Sequence, residues 1–180
     1  MLKVAITGNI ASGKSAVEKI LESKGFKVYD TDKIAHEVLE NSSEVKDAFG
    51  TTDRKKIAKI VFSNSEKLKQ LESIIHPRVK DELNKIFLSD LNIVFVSVPQ
   101  LFETDFDKLF DKIIYVTADR KIRLERLMKR NSLSKEEALI RINAQKEDKK
   151  KEKSDFVIEN DSDLANLEVQ VEKVLSILIR

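Results

Sequence analysis

The feature that most constrains this chain of 180 residues is an eight-residue stretch close to its start. Gly8-Asn9-Ile10-Ala11-Ser12-Gly13-Lys14-Ser15 satisfies G-x-x-x-x-G-K-[ST] at every fixed position. With average composition, a chance match in a chain of this length has odds on the order of one in a hundred. The motif follows the apolar run Leu2–Thr7 and opens the helical pattern Ala16, Val17, Ile20, Leu21. It therefore sits at a strand–loop–helix junction, where its chemistry needs it. The glycines let the backbone curl until its N–H groups point inward, and the helix N-terminus adds its positive end. In that setting Lys14 reaches the β- and γ-phosphates of a nucleoside triphosphate, and the Ser15 hydroxyl ligates Mg²⁺. The plain alternative is an ordinary strand–turn–helix junction.

Composition sharpens this. The chain has only four Gly, two Pro and two His, and no Cys or Trp. That excludes disulfide-stapled proteins and Cys-ligated zinc or iron–sulfur sites. Lys and Arg number 33 against 31 Asp and Glu, a net of +2, so whole-chain charge argues for no nucleic-acid partner. The charge is uneven, however: residues 119–153 carry 13 basic against 7 acidic side chains. A local basic stretch in a near-neutral chain suits an anion site. No apolar run approaches the ~20 residues of a spanning helix, and Val4–Ile6 is too short for a signal peptide. The expectation is a soluble, cytoplasmic protein with no membrane partner, a monomer or weak homo-oligomer.

Short β-rich runs alternate with longer helical patterns. Strands are expected at Leu2–Thr7, Lys27–Asp30, Ile93–Val98, Ile113–Thr117 and Phe156–Glu159. Several are apolar on both faces, as Ile93-Val94-Phe95-Val96 is, which marks strands buried in a parallel sheet. Helices are expected at Lys14–Ser23, Lys33–Glu40, Arg54–Ser63, Ser65–Phe87, Arg120–Lys129, Lys135–Lys149 and Leu164–Leu178. This alternation means an α/β fold with a mainly parallel sheet. Roughly sixty residues without a strand separate the second and third strands. A helical insertion is expected there, at about 49–89, leaving the core at about 1–48, 90–118 and 154–180. Ser134-Lys135-Glu136-Glu137 has the form of a capping box and starts a second helix straight after the first. The resulting hairpin, about 119–153, reads as a mobile cover over a site or as a solvated helix pair.

The reaction class follows by elimination. A GTPase needs N-K-x-D after a strand, but Asn84-Lys85 runs into Ile86 and Phe87. Asp47-Ala48-Phe49-Gly50 spells D-x-x-G but ends a helical stretch. An ATP-driven motor places an acid at the end of an apolar strand, whereas Ile93–Val98 runs into Pro99-Gln100 with no acid before Glu103. A small phosphotransferase survives. Its acceptor side falls at the carboxyl end of the second strand, Tyr29-Asp30-Thr31-Asp32. A carboxylate there can orient an acceptor hydroxyl and take its proton. Asp30 and Asp32 are both candidates, and either one could instead cap the next helix.

Here the residues carry a resemblance. The phosphate loop is followed in order by Asp30-Thr31-Asp32 with Ala35-His36, Asp53-Arg54, Ile60-Val61-Phe62 and His76-Pro77-Arg78-Val79. Then come Val98-Pro99-Gln100-Leu101-Phe102-Glu103, Arg126-Leu127 with Arg130, Gln145, and Asp155-Phe156-Val157-Ile158-Glu159-Asn160. Each piece is weak alone; their order and spacing together are specific, and the chain resembles the dephospho-CoA kinases nearly end to end. The resemblance implies ATP-dependent phosphorylation of the ribose 3′-hydroxyl of dephospho-CoA. It implies a nucleoside-monophosphate-kinase-like core of five parallel strands, a helical substrate-binding insertion and a lid. Asp32 matches the family's catalytic base, and Ala11 to Ala16 match its ATP loop. The family usually has Gly where this chain has Asn9 and Ala11, Thr where it has Ala16, and Leu where it has Gln100.

The expected site is then Gly8, Ala11, Ser12, Gly13, Lys14, Ser15 and Ala16 for ATP, with Ser15 on Mg²⁺. Lys14, Asp32, Arg126 and Arg130 would carry catalysis. Arg123, Arg126 and Arg130 share one helix face at i, i+3 and i+7, either as a phosphate-binding row or as a solvated basic face. Arg141 on the next helix is a further candidate. Asp30, Asp32, His76, Phe102, Glu103 and Arg141 would face the acceptor. For His76, substrate contact and a helix-orienting hydrogen bond stand side by side. His36 reads as structural, and Lys149–Lys153 as a solvated helix end. The alternatives are a kinase of another small nucleotide or nucleoside, or a regulatory module that binds ATP without transferring phosphate.

Overall fold

The structure, a computed structural model, describes residues 1–145 and 148–179, with backbone alone at 148 and 149. Five parallel strands form one sheet in the order β2-β3-β1-β4-β5. They are β1 (Leu2–Gly8), β2 (Val28–Asp30), β3 (Ile93–Ser97), β4 (Lys112–Thr117) and β5 (Phe156–Glu159). β1 takes the central place because it is apolar on both faces: Val4, Ala5 and Ile6 are wholly buried. Leu2 pairs with Ile93 through Ile6 with Ser97 on one side. Val4 pairs with Lys112 through Gly8 with Val116 on the other. The phosphate loop thus leaves the carboxyl end of the middle strand, between two neighbours, where α/β sheets bind ligands.

The helices are α1 (Lys14–Ser23), α2 (Thr31–Glu40), α3 (Ser43–Phe49), α4 (Arg54–Phe62) and α5 (Ser65–Ile86). They are followed by α6 (Arg120–Asn131), α7 (Lys135–Asn143), α8 (Asp148–Glu152) and α9 (Leu164–Leu178). Val17, Ile20 and Leu21 of α1 and Leu167, Val171, Val174 and Leu175 of α9 join Ile6, Phe95 and Val116 in one core. The helical spacing of the leucines in 164–178 serves that packing. At its surface, Lys24 donates to Glu168 (3.0 Å) and Glu172 (2.6 Å), tying α1 to α9. Those bonds, Glu172 first, hold the Lys24 ammonium above its ordinary pKa.

The chain divides into two compact units, residues 1–29 with 92–180, and residues 30–91. The second is built from helices α2 to α5. α2 and α3, grouped by sequence with the sheet, pack with α4 and α5 around Leu39, Val45, Ile57, Ile75 and Leu83. Its helix starts are set by side chains: Ser42 accepts from Val45 N (3.2 Å), Asp53 from Lys56 N (2.9 Å) and Asn64 from Lys67 N (2.9 Å). Arg78 bonds Glu44 at 2.9 Å, joining α5 to α3.

One departure from the expected elements falls in the helical hairpin. The helix expected over 135–149 ends at Asn143; residues 146 and 147 lie outside the described residues, and α8 begins at 148. The capping box is present, with Glu137 accepting from Ser134 N (2.8 Å) and Ser134 from Glu137 N (3.2 Å). The Ser134 N–H holds the Glu137 carboxyl below the usual range, so this tie weakens as pH falls through that lowered value. A short 3₁₀ turn, Phe106–Leu109, was without a sequence signal and buries Phe106. Among the described residues, no helix is long and apolar enough to cross a membrane.

Candidate active site

In the first unit a cavity of about 1020 Å³ lies over the whole loop from Gly8 to Ser15. Both loop glycines have steric reasons. A Cβ on Gly8 would meet Val116 O at 2.3 Å, so β1 could not sit beside β4 with a side chain there. Gly13 holds φ 93°, and a Cβ on it would stand 1.9 Å from Asn160 Nδ2. That close approach is functional for the loop: Asn160, at the end of β5, donates from Nδ2 to Ser12 O at 2.9 Å. Arg126 of α6 donates to Asn160 O at 3.0 Å and reaches Ser12 O at 3.5 Å. Gln145 accepts from Ile10 N at 2.8 Å. The loop is therefore held from α6, from the residue after β5 and from Gln145, just beyond α7.

The tip of the loop also rests on an apolar cluster. Ile10 and Ala11 pack against Leu127, Ala138 and Ile142, the buried seam of the α6–α7 hairpin. Ala11 holds φ 60°, in the left-handed region where a Cβ costs about 1–2 kcal/mol. Ala11→Gly removes that cost but frees the unfolded chain by about 0.4–1 kcal/mol. The expected net is a gain of about 1 kcal/mol, seen as a rise of about 2–4 °C in the midpoint of a thermal melt. A fall in the midpoint would mean that the Ala11 methyl contact outweighs the strain.

Cations surround the cavity. Lys14 donates to Glu18 one turn along α1 (2.7 Å) and to Ser97, buried at the carboxyl end of β3. Arg126, Lys129 and Arg130 line the wall from α6. Arg123 does not: it is wholly buried on the same side of α6 as Leu127, so the expected row of three arginines is a pair. Arg141 is exposed on α7 and outside the lining. Glu103 lines the cavity with Pro99 and Gln100, whereas Phe102 turns toward Lys153, whose Nζ lies 5.6 Å from its ring centre. Lys150, read from sequence as part of a solvated helix end, is instead buried, lines the cavity and pairs with Glu103. The run of alternating Lys and Glu around it hides the inward residue, because a single turn of helix has no readable apolar stripe.

In the second unit a smaller cavity, about 300 Å³, is lined by Asp32, His36, Arg54, Glu72 and His76 among others. Capping of α2 falls to Asp30, whose Oδ1 accepts from Asp32 N at 2.8 Å. Asp30 is absent from the cavity wall and Asp32 is on it. His36, expected to be structural, stands in the same wall as His76, so both histidines of the chain face one cavity. His36 Nε2 lies 3.0 Å from Glu40 Oε1. Arg54 and Glu72 complete the polar lining. Among the described residues no group of three or more His, Cys, Asp or Glu is placed to hold a metal ion.

A glycine-lysine loop on the central strand of a parallel sheet, walled by arginines and lysines, defines a P-loop phosphotransferase. Residues 2–166 match the family model described as dephospho-CoA kinase. The chain belongs to the dephospho-CoA kinase family. It is 40% identical to the dephospho-CoA kinase of Fusobacterium nucleatum, over 94% of this chain and 95% of that one. Its fold superposes on TT1252 from Thermus thermophilus with a TM-score of 0.85 at 37% identity, covering 98% and 97% of the two chains. The dephospho-CoA kinase of Campylobacter jejuni superposes with a TM-score of 0.76 at 32% identity, over 98% and 96%.

Proposed function

We propose that this chain transfers the γ-phosphate of ATP to the ribose 3′-hydroxyl of dephospho-CoA, releasing coenzyme A and ADP. The observation that carries it is the phosphate loop, held ready by Arg126, Asn160 and Gln145 inside a cation-lined cavity large enough for a nucleoside triphosphate. Lys14 lies against the β- and γ-phosphates, and the loop N–H groups cradle them. Ser15 would hold Mg²⁺. An exposed hydroxyl at the loop's end fits that ion, which takes most of its oxygens from phosphates and water. When bound, Mg²⁺ supplies charge neutralisation to the β- and γ-phosphates.

Asp32 accepts a hydrogen bond from the acceptor hydroxyl and takes its proton. The hydroxyl oxygen forms its bond to the γ-phosphorus as the bond to the β,γ-bridging oxygen breaks, and ADP leaves with that electron pair. Arg126 and Arg130 stabilise the charge on the equatorial oxygens. His76, with His36 and Arg54 beside it, holds the acceptor, and Phe102, Glu103 and Arg141 are assigned to the same side. Closure of the α6–α7 hairpin, whose seam already packs on the loop tip, excludes water and prevents idle ATP hydrolysis. The reading carries with it a cytosolic enzyme, monomeric or weakly associating.

The test is ADP release with a panel of acceptors. Dephospho-CoA is expected to stimulate it far above the rate with water. Stimulation by AMP, CMP or adenosine instead would select a kinase of another acceptor. ATP binding with no stimulation by any of them would select a regulatory module.

A further inference from the structure

Of the lysines between 149 and 153 whose side chains are described, Lys150 alone is turned inward. Lys151 bonds Glu159 at the surface (3.2 Å), and Lys153 lies over Phe102. Lys150 keeps only 11% of its side chain exposed, while its partner Glu103 keeps 49%. A lysine is almost never buried unless paired, and a half-solvated carboxylate returns only part of the cost of taking an ammonium out of water. Both groups line the cavity that holds the phosphate loop, together with Arg126 and Arg130. The ammonium has three donors, and a single carboxylate oxygen takes one. A polyphosphate chain would match the remaining donors and the uncompensated charge.

We propose that Lys150 is a second lysine of the phosphate site, contacting the terminal phosphates of bound ATP, and that Glu103 is its positioning residue. Lys14 acts from the loop and Lys150 from α8, so the nucleotide's charge is met from two elements. This rests on reading the cavity as the ATP site, and it gives Glu103 a role toward the nucleotide in addition to the acceptor role expected from sequence.

The test measures binding apart from turnover. Calorimetric titration of the full chain with the non-hydrolysable analogue AMP-PNP, and with AMP, needs no acceptor, so it stands whether or not dephospho-CoA is the acceptor. Lys150→Met is expected to weaken AMP-PNP by about tenfold or more while leaving AMP within about threefold, and to lower kcat by roughly 10²-fold, the range for one lost transition-state donor. Lys150→Arg should recover most of the AMP-PNP affinity. Glu103→Gln should cost less than Lys150→Met, since the ammonium remains. If Lys150→Met does not fold by circular dichroism, the Arg and Gln variants decide the matter through the same titrations. AMP-PNP affinity and kcat within about threefold of the parent in Lys150→Met would overturn the proposal. So would Glu103→Gln matching Lys150→Met in every measurement, the signature of a purely structural ion pair.

Discussion

Asp32→Asn is expected to lower kcat by about 10²–10⁴-fold, the usual worth of a positioned general base, while ATP affinity stays near that of the parent. The amide keeps the shape of the carboxylate and can still accept a hydrogen bond from the acceptor hydroxyl. It cannot take the proton. The cap of α2 survives the substitution: Asp30 accepts from the Asp32 N–H, which the variant retains. Losing the acidic charge from the first turn should cost about 0.3–1 kcal/mol of stability. Asp30→Asn is the control, since Asn caps almost as well as Asp and the residue is off the cavity wall. Its kcat should stay close to that of the parent. Steady-state kinetics with both substrates varied checks the pair, and near-normal kcat in Asp32→Asn would remove Asp32 as the base.

Lys14→Met should cost kcat roughly 10²–10³-fold and weaken ATP binding with it. Met matches the length and apolar stem of Lys, so the loss isolates the ammonium. A stability cost comes too. Glu18 keeps 16% of its side chain exposed and loses the partner that stands 2.7 Å away. A partly buried charge left so is worth about 1–3 kcal/mol. Lys14→Arg should not rescue turnover, because a planar guanidinium does not fit the place of a compact ammonium held between Ser97 and Glu18. Turnover in Lys14→Met within about tenfold of the parent would contradict the loop's assignment.

The sheet was legible because its strands are apolar on both faces and its turns are few. Leu2–Gly8, Ile93–Ser97 and Phe156–Glu159 fall within a residue of where the pattern puts them. The phosphate loop was legible because its residue types are dictated by sterics that the structure makes visible at Gly8 and Gly13. What escaped was the inward or outward sense of charged side chains. Arg123, Arg126 and Arg130 are equivalent by spacing, yet packing against the unit's interior takes Arg123 into the core and leaves the other two on the cavity. Lys150 and His36 escaped for the same reason. Lys150 meets Glu103, 47 positions away in the chain, and His36 shares a cavity wall with His76, 40 positions away. Which of Asp30 and Asp32 caps α2 needed the cap geometry itself, because either carboxylate satisfies the sequence rule for a helix start.

The most direct measurement is a product analysis of the complete reaction. The chain is mixed with Mg²⁺, ATP and dephospho-CoA, and the nucleotides are resolved by mass and by the position of the new phosphate. One coenzyme A, phosphorylated on the ribose 3′-oxygen, is predicted for each ADP formed, with little ADP when dephospho-CoA is withheld. ADP formed without coenzyme A, or phosphate found on another acceptor at a higher rate, would contradict the assignment.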